Sequence, residues 1–141
     1  MIRAARPTDL AAMAALESRE PMGTQWTLSQ LTQELSNPRA VFLVAELEQR
    51  PVGHLLAWQT LDELELLTIA VQKTHRNRGL GRALLNSLCS TKGASVVFLE
   101  IRASNAPARA LYHSAGFKQV GRRTSYYRDG EDALLMRKAL P

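Results

Sequence analysis

The sequence predicts a mixed α/β domain of the α+β kind, with one largely antiparallel sheet flanked by about four helices. Three observations predict it. Runs of β-branched and aromatic residues alternate with stripes of apolar residues at helical spacing, the pattern of strands and amphipathic helices that share a core. A chain of 141 residues suits one core, which buries roughly two-thirds of the surface that the unfolded chain exposes. No internal repeat or Gly/Ser/Pro-rich linker divides it, so residues 1–141 are expected to form a single domain.

The elements follow in order. Residues 2–6 read as a short strand, and Pro7-Thr8-Asp9 begins a helix whose apolar stripe is Leu10, Met13, Ala14 and Leu16. A loop is expected over residues 21–25. Thr27 then caps a helix over 28–35, which Asn37-Pro38 ends because the residue before a proline disfavours helical backbone. Residues 41–45 and 52–58 are rich in strand formers, and Gln49-Arg50-Pro51 between them suits a hairpin turn. A strand is expected over 65–71. The polar stretch from Lys73 to Arg82 turns into a helix bearing Leu80, Ala83, Leu84 and Leu88. After Lys92-Gly93, residues 95–101 read as a buried strand. Ser104-Asn105 caps a helix over 107–114 that Gly116 stops, and strands over 117–123 and 132–137 complete the sheet.

Charge and composition narrow the function classes. The net charge of +5 conceals a split: residues 1–70 carry 5 Lys and Arg against 9 Asp and Glu, residues 71–141 carry 13 against 4, so the halves balance at −4 and +9. A basic half serves nucleic acid, an acidic partner or a phosphate-bearing cofactor, and bulk charge does not choose among them. Cys89 has no partner for a disulfide or a zinc ribbon, and His54, His75 and His113 do not cluster, so no metal is expected. These histidines and Cys89 read as structural or solvated. No stretch of 18 apolar residues and no signal-peptide apolar region occur, so a cytoplasmic protein without a membrane partner is expected.

Arg76-Asn77-Arg78-Gly79-Leu80-Gly81 lies between a predicted strand and a predicted helix. Glycines there remove Cβ atoms and let successive backbone N–H groups converge on an anion at the positive end of the helix. A pyrophosphate fits such a turn, and Arg76, Arg78 and Arg82 add charge to it. The Gly-Lys-Ser/Thr ending of a Walker loop and the third glycine of the dinucleotide fingerprint are both missing. Taken alone, the turn reads equally as a helix start with solvated arginines.

The order strand, Arg-x-x-Gly-x-Gly turn, helix, strand, and Asn-capped helix with a tyrosine near its end resembles the GNAT superfamily of acyl-CoA-dependent N-acyltransferases. The resemblance covers nearly the whole chain and is most specific over residues 66–117. Within the superfamily the likeness is to the ribosomal-protein alanine N-acetyltransferase (RimI) type. It is carried by Ile69-Ala70-Val71, by Arg78-Gly79-Leu80-Gly81-Arg82, by Glu100 to Asn105 with Tyr112 seven residues later, and by Tyr126-Tyr127 ahead of Gly130-Glu131-Asp132-Ala133.

The resemblance implies a GNAT-like fold and acetyl-CoA as co-substrate, with its pyrophosphate on Arg76, Asn77, Arg78, Gly79, Leu80, Gly81 and Arg82. It implies that backbone groups of Ile69, Ala70 and Val71 meet the pantetheine arm and thioester, and that Asn105 contacts the coenzyme. Amine acetylation needs a deprotonated amine, a stabilised oxyanion and a protonated leaving thiolate. By resemblance Glu100 is the general base and Tyr112 the general acid. Read from residues alone, Glu100 sits in a strand expected to be buried, and the alternative to a catalytic role is a pair with Arg102 or Arg109. The alternative for Tyr112 is a core aromatic, and Asn105 serves as a helix cap instead of or together with a coenzyme contact.

At the acceptor end, the RimI type carries an aromatic-Pro-Trp segment between the first helices, of which only Trp26-Thr27 stands here. Gln72-Lys73 replaces the acidic-Pro dipeptide common after that strand. Trp26 and Asp62 are candidate acceptor contacts, since Asp62, Glu63 and Glu65 either attract a cationic N-terminus or form a solvated hairpin edge. The implied reaction is acetylation of a protein N-terminal amine, the N-terminal alanine of a small-subunit ribosomal protein being the expected partner. A GNAT enzyme for another amine, such as a polyamine, an amino acid or a lysine side chain, stays open. So does a non-catalytic ribosome- or nucleic-acid-binding module. That module accounts for the basic half but not for Glu100, Asn105 and Tyr112, and without interleaved aromatics direct nucleic-acid contact is not expected.

Overall fold

The computed structural model describes residues 1–20 and 25–141. Its strands are β1 Ile2–Ala4, β2 Ala40–Leu47, β3 Arg50–Thr60, β4 Glu63–Val71, β5 Val96–Arg102, β6 Lys118–Arg123 and β7 Ala133–Ala139. Helices α1 Leu10–Ser18, α2 Leu28–Leu35, α3 Leu80–Cys89 and α4 Ala106–Ser114 flank them. The strands form one sheet in the order β1-β2-β3-β4-β5-β7-β6, and β4–β5 is its parallel pair. The predicted mixed, mostly antiparallel sheet with four helices is therefore observed among the described residues. Of the expected loop over 21–25, residues 21–24 lie outside them.

Local chemistry sets the element boundaries. Thr27 Oγ1 accepts from the Gln30 N–H at 3.2 Å while Gln30 Oε1 accepts from the Thr27 N–H at 2.9 Å, a reciprocal cap that starts α2 where the sequence puts it. Two hairpin turns differ from the sequence reading. The β2–β3 turn is Glu48-Gln49, both in the left-handed region, and Arg50 and Pro51 already pair with Leu47 and Glu46. The β3–β4 turn is Leu61-Asp62 with Leu61 at φ 57°, so β4 begins at Glu63 rather than at 65. Pro7–Asp9 is a 3-10 turn, and Asp9 is buried: its carboxylate accepts from both terminal nitrogens of Arg3, at 2.8 and 2.9 Å, and from the Arg6 N–H at 2.8 Å. The Arg6 bond accounts for β1 ending at Ala4 instead of residue 6.

The core has two sides. On one face Leu55, Leu64, Leu66, Val97, Leu99 and Ile101 pack against Leu84, Leu85 and Leu88 of α3 and Tyr112 of α4. On the other face Val44 and Leu56 pack with Leu10 and Met13 of α1 and Leu31 of α2. Alternation along β5 sends Val97, Leu99 and Ile101 to the first face and Phe98 and Glu100 to the second.

The β4–β5 ladder runs from Glu63 opposite Val96 to Leu66 opposite Leu99 and stops there. A register shift opposite Leu56 and Ala57 places an extra residue, Leu67, in β4. A bulge of this kind bends its strand. Past it, Thr68 to Val71 stay paired with β3 but not with β5. The sheet therefore opens between the end of β4 and the end of β5.

Candidate active site

Glu100 stands in β5 one residue past the last β4–β5 pair, on the face that carries α1 and α2. It is exposed, contrary to the burial expected of a carboxylate in an apolar strand. The apolar neighbours Leu99 and Ile101 fill the opposite face, and Glu100 lines an open groove of about 590 Å³. Trp58 and Glu65 stand on one side of the groove and Arg123, Tyr126 and Tyr127 on the other. The partner of Glu100 is neither Arg102 nor Arg109. Arg123 Nε lies 3.5 Å from its Oε1, whereas Arg102 bonds Asp129 at 2.8 Å and Glu131 at 3.3 Å. The Glu100 charge and a hydrogen bond to it push the Tyr126 phenol above its ordinary value. Burial first, then the same charge, raises Tyr127. The two rings meet edge to face at 5.2 Å, with the Arg102 guanidinium 4.1 Å over Tyr127.

Behind the opening lies the glycine turn. Asn77 and Gly79 both have positive φ, at 63° and 79°, and Gly79 is the left-handed residue from which α3 starts. A Cβ on Gly79 would point into open space with nothing within 4 Å. Among the described residues no side chain caps α3, which leaves its first-turn N–H groups without a side-chain partner. This cradle fits the diphosphate of a coenzyme. Gly81 has a packing role as well, since a Cβ there would sit 3.5 Å from Leu111 of α4.

The three arginines separate. Arg82 donates to the Ser114 carbonyl at 2.8 Å and holds the end of α4. Arg76 donates to the Val71 carbonyl at 3.1 Å and pairs with Glu20, tying the end of β4 to the segment after α1. Arg78 makes no ion pair or side-chain hydrogen bond among the described residues, so its guanidinium is available to an anion. Leu80 leans on the first core.

Tyr112 projects from α4 into that core, 5% exposed, with its ring edge to face against Phe117 at 5.5 Å. Burial raises its phenol far above the ordinary value. The core-aromatic reading therefore holds, whatever else the hydroxyl does. Asn105 caps α4, its Oδ1 accepting from the Ala108 N–H at 3.2 Å. Glu100 and Tyr112 lie on opposite faces of the sheet, on either side of the opening at which Ile69, Ala70 and Val71 have no β5 partner.

Asp62 is not brought to this site. It sits in the β3–β4 turn, where Oδ2 accepts from Ser95 Oγ at 2.5 Å and its carbonyl accepts from the Ser95 N–H at 2.7 Å. Trp26 packs with the second core. His54 is fully buried rather than solvated, and its Nε2 lies 2.7 Å from Glu17 Oε2. Arg123 and Trp58 carried no sequence signal, because a cross-strand neighbour and a groove wall depend on register. No group of His, Cys, Asp and Glu side chains suited to a metal occurs among the described residues. No described helix is long and apolar enough to cross a membrane.

Comparison with known proteins identifies the family. The model of the acetyltransferase (GNAT) family matches residues 9–117. The chain is 37% identical over 131 residues to N-alpha-acetyltransferase RimI of Mycobacterium tuberculosis, covering 89% of this chain and 83% of that one. It is 48% identical over 87 residues, 57% of each chain, to the ribosomal protein bS18-alanine N-acetyltransferase of Escherichia coli. The crystal structure of the ribosomal-protein-S18-alanine N-acetyltransferase from Escherichia coli matches with a TM-score of 0.88 at 33% identity, over 99% of this chain and 93% of that one. The match takes in the open strand pair, the glycine turn and both helices behind it, which decides for an enzyme over a non-catalytic binding module: the chain belongs to the GNAT family and is a RimI-like, acetyl-CoA-dependent N-acetyltransferase.

Proposed function

We propose that this enzyme acetylates a protein N-terminal amine, the N-terminal alanine of a small-subunit ribosomal protein, with the acceptor lying in the groove over Glu100. The observation that carries the reading is a solvent-reached carboxylate at the point where β4 and β5 part, walled by Trp58, Tyr126 and Tyr127. An amine arriving from the groove meets a thioester held in the opening. The relatives named for bS18-alanine acetylation support the acceptor class. Glu63 and Glu65 on the same side give the groove an acidic margin that suits a cationic chain end.

Acetyl-CoA supplies an activated acetyl carbonyl, whose C–S bond breaks as the C–N bond to the amine forms. Glu100 takes the proton released by the amine, directly or through one water. The backbone N–H groups of Ile69, Ala70 and Val71 that point away from β3 orient and polarise the carbonyl. Burial keeps the Tyr112 phenol protonated, and its hydroxyl returns a proton to the departing sulfur. Gly79, Leu80 and Gly81 cradle the diphosphate with Arg78 beside it, and the side-chain amide of Asn105 donates to the coenzyme while its oxygen caps α4.

Mass spectrometry of a peptide panel after incubation with acetyl-CoA tests this. The panel varies the first residue and includes free and blocked lysines. Acetyl on the α-amine of Ala-starting peptides is expected. Acetyl confined to lysine side chains or to small amines would move the enzyme to another acceptor class.

A further inference from the structure

We propose that Glu17, His54 and Thr68 form a positioning unit for the acceptor, a buried carboxylate hub that fixes the start of α2 against the bend in β4. This rests on the reading of the groove as the acceptor site. Glu17 is 1% exposed, His54 is fully buried and Thr68 is 9% exposed. Glu17 Oε2 accepts from Thr68 Oγ1 at 2.9 Å and lies 2.7 Å from His54 Nε2, while Oε1 accepts from the Trp26 N–H at 3.1 Å. The hub therefore gathers α1, β3, β4 and the residue that leads into α2.

An apolar side chain at position 17 would fill the inner face of α1 without desolvating a charge. The carboxylate does what an apolar residue cannot: it accepts hydrogen bonds from separate elements and sets their relative position. His54 carries a further cost, since among the described residues its buried Nδ1 has no hydrogen-bond partner. A histidine kept there at that cost is explained by its bond to Glu17 rather than by packing.

The geometry leads from this hub to the groove by two routes. Thr68 follows Leu67, the bulged residue that lines the groove and packs in the same cluster as Trp26. It also precedes Ile69-Ala70-Val71, the strand end facing the opening. The second route runs through α2, whose Glu34 accepts from Trp58 Nε1 at 2.8 Å, and Trp58 is a groove wall. Loosening Trp26 shifts both the wall and the bend while leaving the glycine turn in place.

The test combines hydrogen exchange with kinetics on the full chain. In His54→Leu the Trp26 amide should exchange about tenfold faster or more, with α3 and β5 amides unchanged. His54→Gln keeps an N–H donor near the Nε2 position and should restore exchange to within about twofold of wild type. With an Ala-starting peptide, His54→Leu should raise the peptide KM about tenfold while the acetyl-CoA KM stays within about twofold. Unchanged Trp26 exchange, or equal loss for both substrates, overturns the proposal. Should His54→Leu fail to fold, the isosteric Thr68→Val, with Thr68→Ser as its rescue, gives the same readouts. If wild type leaves the peptide unmodified, the groove reading fails, and the exchange result alone decides the positioning role.

Discussion

Tyr112 sets two demands against each other at the residue scale. Its ring fills the core beneath α4, and its hydroxyl is assigned the proton for the leaving sulfur. Burial disfavours the phenolate, so the folded value lies above the ordinary value near 10. The neutral donor thus persists across the working range, and no alkaline limb from Tyr112 is expected in kcat below about pH 10. Tyr112→Phe keeps the ring and should slow single-turnover acetyl transfer about 10²-fold with little loss of stability. An unchanged single-turnover rate would remove Tyr112 from the acid role. Glu100 was legible as a residue but not in its surroundings. An apolar strand predicts burial, whereas strand alternation turns Glu100, with Phe98, into the groove on the face that carries α1 and α2, beside Arg123 and Tyr126 from β6 and the stretch after it.

At the element scale the glycine turn and α3 act together. Gly79 holds φ 79°, where a β-branched residue is strained, and its missing Cβ leaves the cradle open. Gly79→Val should lower acetyl-CoA affinity by more than about tenfold in calorimetry, with far-ultraviolet circular dichroism unchanged. Tight binding by the folded variant would rule out the cradle.

Elements with local signals were read well. Thr27 places α2 at Leu28–Leu35, and Ser104-Asn105 places the start of α4 within one residue of Ala106. The β2–β3 turn falls at Glu48-Gln49 rather than at Gln49-Arg50-Pro51, because Glu48 and Gln49 adopt left-handed backbone that no local rule assigns to them. Proximity in sequence gives Arg76 and Arg82 to the coenzyme. Their partners Glu20 and Ser114 are distant in the chain, and such pairings emerge only from the fold.

At the scale of the whole molecule, part of the basic excess of residues 71–141 is taken up by local pairings. Arg102 and Arg122 are matched by Asp129, Glu131 and Asp132 from their own half, Arg123 faces Glu100, and Lys138 donates to the Ala115 carbonyl at the end of α4. Arg78 makes no such pair among the described residues, as the proposed diphosphate site requires, and Glu63 and Glu65 line the groove proposed for the acceptor.

Buried carboxylates set the acid stability of the fold. The Arg3 hydrogen bond draws Asp9 below the ordinary carboxyl range. Burial alone would push Glu17 up, but the hydrogen bond and charge of His54 carry it below as well. Both folded values are depressed, so their stabilisation is fully present above the unfolded values near 4 and is lost as pH falls through the folded ones. Asp9→Asn should cost about 3 kcal/mol in urea unfolding at pH 7 and flatten the fall in stability at low pH. An unaltered pH dependence would show that Asp9 does not contribute that stability.

The most direct measurement of the catalytic reading is Glu100→Gln, assayed for turnover on an Ala-starting peptide and for acetyl-CoA binding by calorimetry. Turnover at saturation should fall about 10²-fold or more, with coenzyme affinity within about twofold of wild type. Normal turnover at saturation with lost coenzyme affinity would contradict a base standing in the groove.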